Sequence, residues 1–214
     1  MLRIAFVPGV TPDKWLRIWG ERSPEPIEAQ MVEQTEQLTV LRDGTVDMCF
    51  VRLPVDKDGL HVIPLYHEVS VAVLAKENPL TVLDELTLDD LKDEPLVDLA
   101  AMPTRYAIEV VASGTGHVIV PMSVARLHHR KDVVARSVTD EPQTRIGLAW
   151  RADNEDPRLE QFIGVVRGRT ERSSRVEPTP PVVRKPAPAK KAPPRKAAPA
   201  KKAAPKRPGP RKRR

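Results

Sequence analysis

The last 37 residues limit how much of this chain can fold. From Pro178 to Arg214 there are 14 Lys or Arg, 11 Pro, no Asp or Glu and no aromatic side chain. Such a stretch cannot bury enough apolar surface to offset the entropy of ordering its backbone, and its prolines veto a continuous helix. Variations on a Lys/Ala/Pro unit, at Ala189–Pro193, Lys196–Pro199 and Ala200–Pro205, favour an extended chain. A disordered basic tail is therefore expected over residues 169–214, and the folded part is confined to residues 1–168. The overall charge of +6 conceals this division. Of 35 basic residues, 21 precede Pro178 and face all 29 acids, so the body carries −8 and the tail +14.

No run approaches the roughly 18 apolar residues of a membrane-spanning helix. The opening Met1–Gly9 holds one cation and few apolar residues before a Pro-Gly break, too short for a signal-peptide core. Both readings point to the cytoplasm. The single Cys49 excludes an internal disulfide framework and a cysteine-cluster zinc site. Its place in the apolar run Val46–Val51 reads as an inert core thiol.

The body reads as alternating strands and helices. Arg3–Val7 is a first strand ending at Pro-Gly. Thr11-Pro12-Asp13 then offers a helix cap, a proline for the first helical position and an acid for the first turn. Trp15, Leu16, Ile18 and Trp19 share one face, and Gly20 and Ser23-Pro24 close that helix. Ile27–Val32 alternates like an outer strand, Gln34–Arg42 makes a second helix, and Val46–Leu53 is apolar enough to be buried on both faces. This order predicts a parallel sheet with right-handed crossovers. Further strands are expected at Leu60–Leu65, Val69–Ala75, His117–Val120, Val133–Val138 and Thr144–Trp150. Helices are expected at Thr87–Leu91, Tyr106–Ala112 and Ser123–His128. A last one carries Leu159, Phe162, Ile163 and Val166 on one face.

Six phrases occur in this order: Leu2–Gly9, Leu41–Asp47, Val62–Glu68, Lys76–Leu80, Leu86–Leu91 and Val110–Pro121. With them the body, from about Leu2 to Arg167, resembles the effector-binding (substrate-binding) domain of LysR-type transcriptional regulators. The resemblance implies an α/β, periplasmic-binding-protein-like two-lobe fold with a ligand cleft between the lobes. The domain would span residues 1–168, with lobe I at about 1–65 and 140–168 and lobe II at about 66–139. It also implies that Pro8, Gly9, Val10, Thr11, Arg52, Thr115 and Gly116 contact the ligand. The turn from Pro8 to Thr11 joins a strand's carboxyl end to a helix amino terminus, where free N–H groups favour an anion. Competing readings make Thr11 a plain helix cap, Arg52 a surface charge, and Gly114 and Gly116 turn residues.

The sequence departs from the family in three places. Met1 stands directly before the first strand, so the winged helix-turn-helix is expected to be absent. The stretch between Val97 and Glu109 is short for the second lobe, which normally has another strand there. The Lys/Ala/Pro tail is foreign to the family and is similar to tails of bacterial nucleoid-associated proteins.

Fourteen unneutralised cations attract a polyanion through counterion release. Lys190, Lys191, Arg195, Lys196, Lys201, Lys202, Lys206, Arg207, Arg211, Lys212, Arg213 and Arg214 are the candidate nucleic-acid contacts. Without aromatic residues for stacking or a folded reading element, little sequence preference is expected. DNA is the expected partner and RNA the second candidate; a solubilising tail or an anionic membrane surface are the rival readings. Catalytic and metal signatures are lacking: His61, His67, His117, His128 and His129 have no ligand spacing, and Gly114-Thr115-Gly116 lacks the third glycine of a dinucleotide loop. No enzyme activity and no cofactor are expected. The acids Asp84, Glu85, Asp89, Asp90, Asp93 and Glu94 read as a solvated face, with docking of a basic tail as the rival reading, and Trp15, Trp19 and Trp150 as core or lobe-interface residues.

The favoured reading is a non-enzymatic regulator, nucleoid-associated in the cytoplasm. It would sense a small anionic metabolite, act as a homodimer, and bind DNA non-specifically through its tail. A mixed dimer with a full-length LysR-type regulator is a further expectation from the family. The alternative is a protein-interaction module with a vestigial cleft, tethered to DNA or RNA by its tail. An enzyme on the same fold ranks third.

Overall fold

A computed structural model of the chain describes residues 1–168, so the expected tail at 169–214 and its nucleic-acid contacts lie outside the described residues. The chain opens with β1 (Leu2–Phe6), α1 (Asp13–Arg22) and β2 (Ile27–Met31). A 3-10 turn at Gln34–Glu36 and the short α2 (Thr39–Arg42) lead to β3 (Met48–Leu53) and then β4 (Leu60–Glu68). There follow β5 (Ser70–Ala75), β6 (Glu85–Leu86), α3 (Leu88–Leu91), α4 (Thr104–Ala112), β7 (His117–Pro121), α5 (Met122–Leu127) and β8 (Val133–Val138). The described part closes with β9 (Thr144–Arg151) and α6 (Pro157–Val166).

Two sheets result. The first has the order β2-β1-β3-β9-β4 and the second β6-β8-β5-β7. As the strand–helix alternation predicts, β1, β2 and β3 pair in parallel, Leu2 with Ile27 and Ile4 with Met48. β9 returns antiparallel between β3 and β4. The chain changes sheet at Val69 on the way out and between Val138 and Thr144 on the way back.

The first sheet is covered on both faces, which explains the unbroken apolar run of β3. On one face Trp19, Phe50 and Phe162 pack with Leu2, Ile4, Leu148 and Leu159. Trp15 stacks on Phe50 at 4.9 Å, while Phe162 meets Trp19 and Phe50 edge-on at 5.8 and 6.2 Å. Trp15 and Trp150 are half-buried against the same cluster. On the other face Leu41, Val46, Cys49 and Val51 pack together. The second lobe has its own core, in which α4 and α5 cover Val71, Val73, Val118 and Val120.

Three local expectations are corrected. α1 begins after Pro12, not after Thr11, and no side chain caps it, so the proposed Thr11 cap is absent. The expected helix over Gln34–Arg42 is broken into a 3-10 turn and one α-turn. The two-residue β6 was not anticipated; Thr87, which follows it, does cap α3, in a reciprocal pair with Asp90. Between Val97 and Glu109 there is no strand. Beyond β7 the second sheet continues only as one parallel bridge, Leu96 to His117, held by Val97 N–H to His117 O and His117 N–H to Pro95 O, each at 2.8 Å.

Candidate functional site at the lobe junction

β3 crosses the middle of the first sheet, and Arg52 is the single charged residue in it. An unpaired guanidinium there would carry a large desolvation penalty. Its donors are instead occupied. Nε donates to Glu68 Oε2 at 2.7 Å and Nη2 to Glu68 Oε1 at 3.2 Å. Nη2 also donates to the Pro8 carbonyl at 2.9 Å, and Nη1 to Gln34 Oε1 at 2.8 Å. The Gln37 amide brackets the backbone of Arg52, accepting from its N–H at 2.8 Å and donating to its carbonyl at 3.4 Å. Gln34 opens the 3-10 turn and Gln37 directly follows it, so both lie where the expected helix is interrupted.

Glu68 ends β4, one residue before the chain enters the second sheet. Its carboxylate accepts two further hydrogen bonds, from Ser123 Oγ at 2.6 Å and from Thr144 Oγ1 at 3.1 Å. Only 4% of each side chain of the Arg52–Glu68 pair is exposed. Burial pushes the Glu68 carboxyl upward. The hydrogen bonds from Arg52, Ser123 and Thr144, with the Arg52 charge, outweigh burial and hold it below its ordinary value of 4.5. The carboxylate therefore joins the first sheet, the second-lobe helix α5 and the returning strand β9.

The loop after β1 completes the junction. Gly9 adopts φ +89°, and a Cβ there would lie 2.5 Å from Ser123 Oγ. The loop backbone thus abuts the start of α5, an approach that a side chain would block. Val10 is buried in the first-lobe core and Thr11 is exposed beside it.

The structure brings Pro8, Gly9 and Arg52 together and separates them from Thr115 and Gly116. β7 runs antiparallel to β5, with Pro121 opposite Ser70 and His117 opposite Leu74. Pro121 therefore lies at the junction, whereas Thr115 and Gly116 precede the far end of the strand, roughly 13 Å away. Gly116 has φ +62°, and any Cβ on it would overlap the Pro95 carbonyl, so its glycine serves close backbone packing. Thr115 is exposed, with its Oγ1 3.5 Å from Ser113 Oγ. The competing view of Arg52 as a surface charge is also corrected, since the side chain is buried.

Sequence reasoning missed Glu68, Ser123, Thr144, Gln34 and Gln37. A usable signal existed for Glu68: an acid directly between the apolar runs Leu60–Leu65 and Val69–Ala75, in a chain whose apolar run Val46–Leu53 holds one arginine. Elsewhere, burial pushes the Cys49 thiol up to about 12. His117 is buried with Nδ1 lacking a hydrogen-bond partner, and burial, opposed by Glu94, holds it below 6.5. Among the described residues no group of three or more His, Cys, Asp or Glu is placed to hold a metal ion, and no helix is long and apolar enough to cross a membrane.

The HTH-type transcriptional regulator AlsR of Bacillus subtilis (strain 168) is 27% identical over 168 residues, 65% of this chain and 55% of its own length. A probable hydrogen peroxide-inducible genes activator of Mycobacterium leprae is 30% identical over 183 residues, 71% of this chain and 59% of its own. The chain thus spans little more than half the length of these relatives. A hydrogen-peroxide-bound OxyR mutant from Corynebacterium glutamicum superposes with a TM-score of 0.64 at 24% identity, over 78% of this chain and 67% of that one. The reduced OxyR regulatory domain from Pseudomonas aeruginosa gives 0.60 at 21% identity, over 78% and 96%. Those likenesses establish the periplasmic-binding-protein-like, two-lobe α/β fold. The family model described as LysR substrate binding domain matches residues 1–106 and 104–171. With four-fifths of its length so matched, the chain belongs to the LysR substrate-binding domain family.

Proposed function

We propose that this chain is a non-enzymatic, transcription-associated regulator whose LysR-type domain senses a small anionic metabolite and whose basic tail binds nucleic acid without sequence preference. One observation carries the reading: a LysR-type body of charge −8 is continuous with a segment of 14 cations and no acids. The relatives named above are transcription regulators, which supports the regulatory role and favours no enzyme. The effector seat is the junction, with the backbone of Pro8–Thr11 on one side and Arg52 at its base. Thr115 and Gly116 have no part in this seat. Pairing of two copies doubles the cationic arms and raises avidity, and a mixed dimer with a full-length LysR-type regulator would bring the arm to that regulator's sites.

The test compares the full chain with a version ending at Glu177, each binding duplex DNA and RNA across a salt series. Neutralising roughly 6–10 phosphates makes affinity fall about 10³–10⁵-fold between 50 and 200 mM salt. The full chain should show that slope and the shortened one no binding. Equal binding by both, or by neither, removes the nucleic-acid role of the tail.

A second reading has one observation in its favour: four of Arg52's five N–H donors are engaged within the chain. The domain then works as a protein-interaction module with a vestigial cleft, tethered by its tail. Stabilisation of the body by a panel of aromatic and aliphatic acids separates the two, since a ligand at 100 times its Kd adds about 2.7 kcal/mol.

A further inference from the structure

The Glu68 carboxylate is held as a bound anion would be. It is paired edge-on by the Arg52 guanidinium through Nε and Nη2, and it receives Ser123 Oγ on one oxygen and Thr144 Oγ1 on the other. These donors come from both lobes and from the returning strand. Arg52 is locked from behind by the Pro8 carbonyl and Gln34, so its fork has no freedom to turn toward another partner. Four charge-assisted or hydroxyl contacts on one buried carboxylate make a complete recognition site.

We infer that Glu68 is a tethered ligand: its carboxylate fills the junction's own anion seat and clasps the two lobes together with no effector bound. The inference rests on reading that junction as the effector seat, and it adds how the seat is regulated. An acidic effector reaches Arg52 only by displacing Glu68, so it must outbid a carboxylate already held in place at high effective concentration. Simple monocarboxylates, which offer nothing beyond the group Glu68 supplies, are excluded.

Chemical rescue tests this. Thermal unfolding is followed for the full chain and for Glu68→Ala in sodium formate, sodium acetate and sodium chloride at matched ionic strength. Truncation opens a carboxylate-sized vacancy facing Arg52. Formate should raise the midpoint of Glu68→Ala saturably above chloride, and at ten times its Kd the folding equilibrium shifts about 11-fold. The unmodified chain should respond alike to all three salts. Adding Arg52→Met to Glu68→Ala should abolish the formate effect, which ties it to this seat. Where Glu68→Ala does not fold in chloride, its refolding yield is compared in formate and chloride, and a yield restored only by formate supports the tethered ligand. Equal responses of Glu68→Ala to formate and chloride, or equal formate responses in the variant and the unmodified chain, overturn it. Neither result bears on tail binding or on stabilisation by larger acids, so failure here is distinct from failure of the regulator reading.

Discussion

Deleting either half of the Arg52–Glu68 pair leaves the other as a buried charge without its counter-ion, which typically costs about 3–5 kcal/mol. Arg52→Met and Glu68→Leu should each lower stability by about that much in denaturant titrations, and the double variant by less than their sum. Arg130→Ala, at an exposed pair with Asp132, should leave the midpoint where it is. Acid sensitivity separates two groups. His117 lies below its ordinary 6.5 in the folded state, so the unfolded chain takes up that proton first, and the stability it contributes is complete above 6.5 and declines as pH falls below it. Glu68 lies below its ordinary 4.5, so its contribution persists above that value and is lost as pH falls through the folded value. Unfolding midpoints measured across pH should show both limbs, with Glu68→Gln flattening the lower and His117→Phe the upper. The Cys49 thiol, raised to about 12 by burial, should react with a thiol reagent only after unfolding. At this scale Arg52 was legible as a functional candidate. Its partner was not, because pairing between residues 16 apart depends on β3 and β4 flanking β9 in the same sheet, which no local pattern encodes.

Elements with a strong period were readable and those held by tertiary contacts were not. α6 shows its face in Leu159, Phe162 and Ile163, all buried as the spacing predicts. Truncating Phe162 to Ala removes one ring from the Trp19–Phe50–Phe162 cluster and should cost about 3–5 kcal/mol, read by denaturant unfolding. Thr87→Ala breaks the reciprocal cap of α3, where losing a capping side chain typically costs about 1 kcal/mol, and the same measurement checks it. Residues Gln34–Arg42 have helical composition, yet the chain breaks there because Gln34 and Gln37 are drawn to Arg52. Thr115 and Gly116 sit in a loop before β7, and the register of β7 against β5 carries them to the end of the strand away from Pro8, Gly9 and Arg52.

The two lobes are joined by two crossing segments, at Val69 and between Val138 and Thr144, and by the contacts around Glu68. Calorimetry of the intact chain should therefore show one cooperative transition, and Glu68→Leu, which releases Ser123 and Thr144, should lower its midpoint. The class of fold was open to inspection because alternating strands and helices leave few topologies. The place of β9 was not, since nothing in Thr144–Arg151 announces that it enters between β3 and β4. That insertion gives the molecule an order of assembly on the ribosome. Every strand of the second sheet has been made once Val138 has emerged, whereas β4 has no partner at all until β9 follows it. The half of the protein translated first must wait for almost the last described strand, while the half translated in between closes ahead of it. On ribosomes stalled before Thr144 is made, Cys49 should be open to thiol reagents, and on those carrying the finished domain it should be shielded.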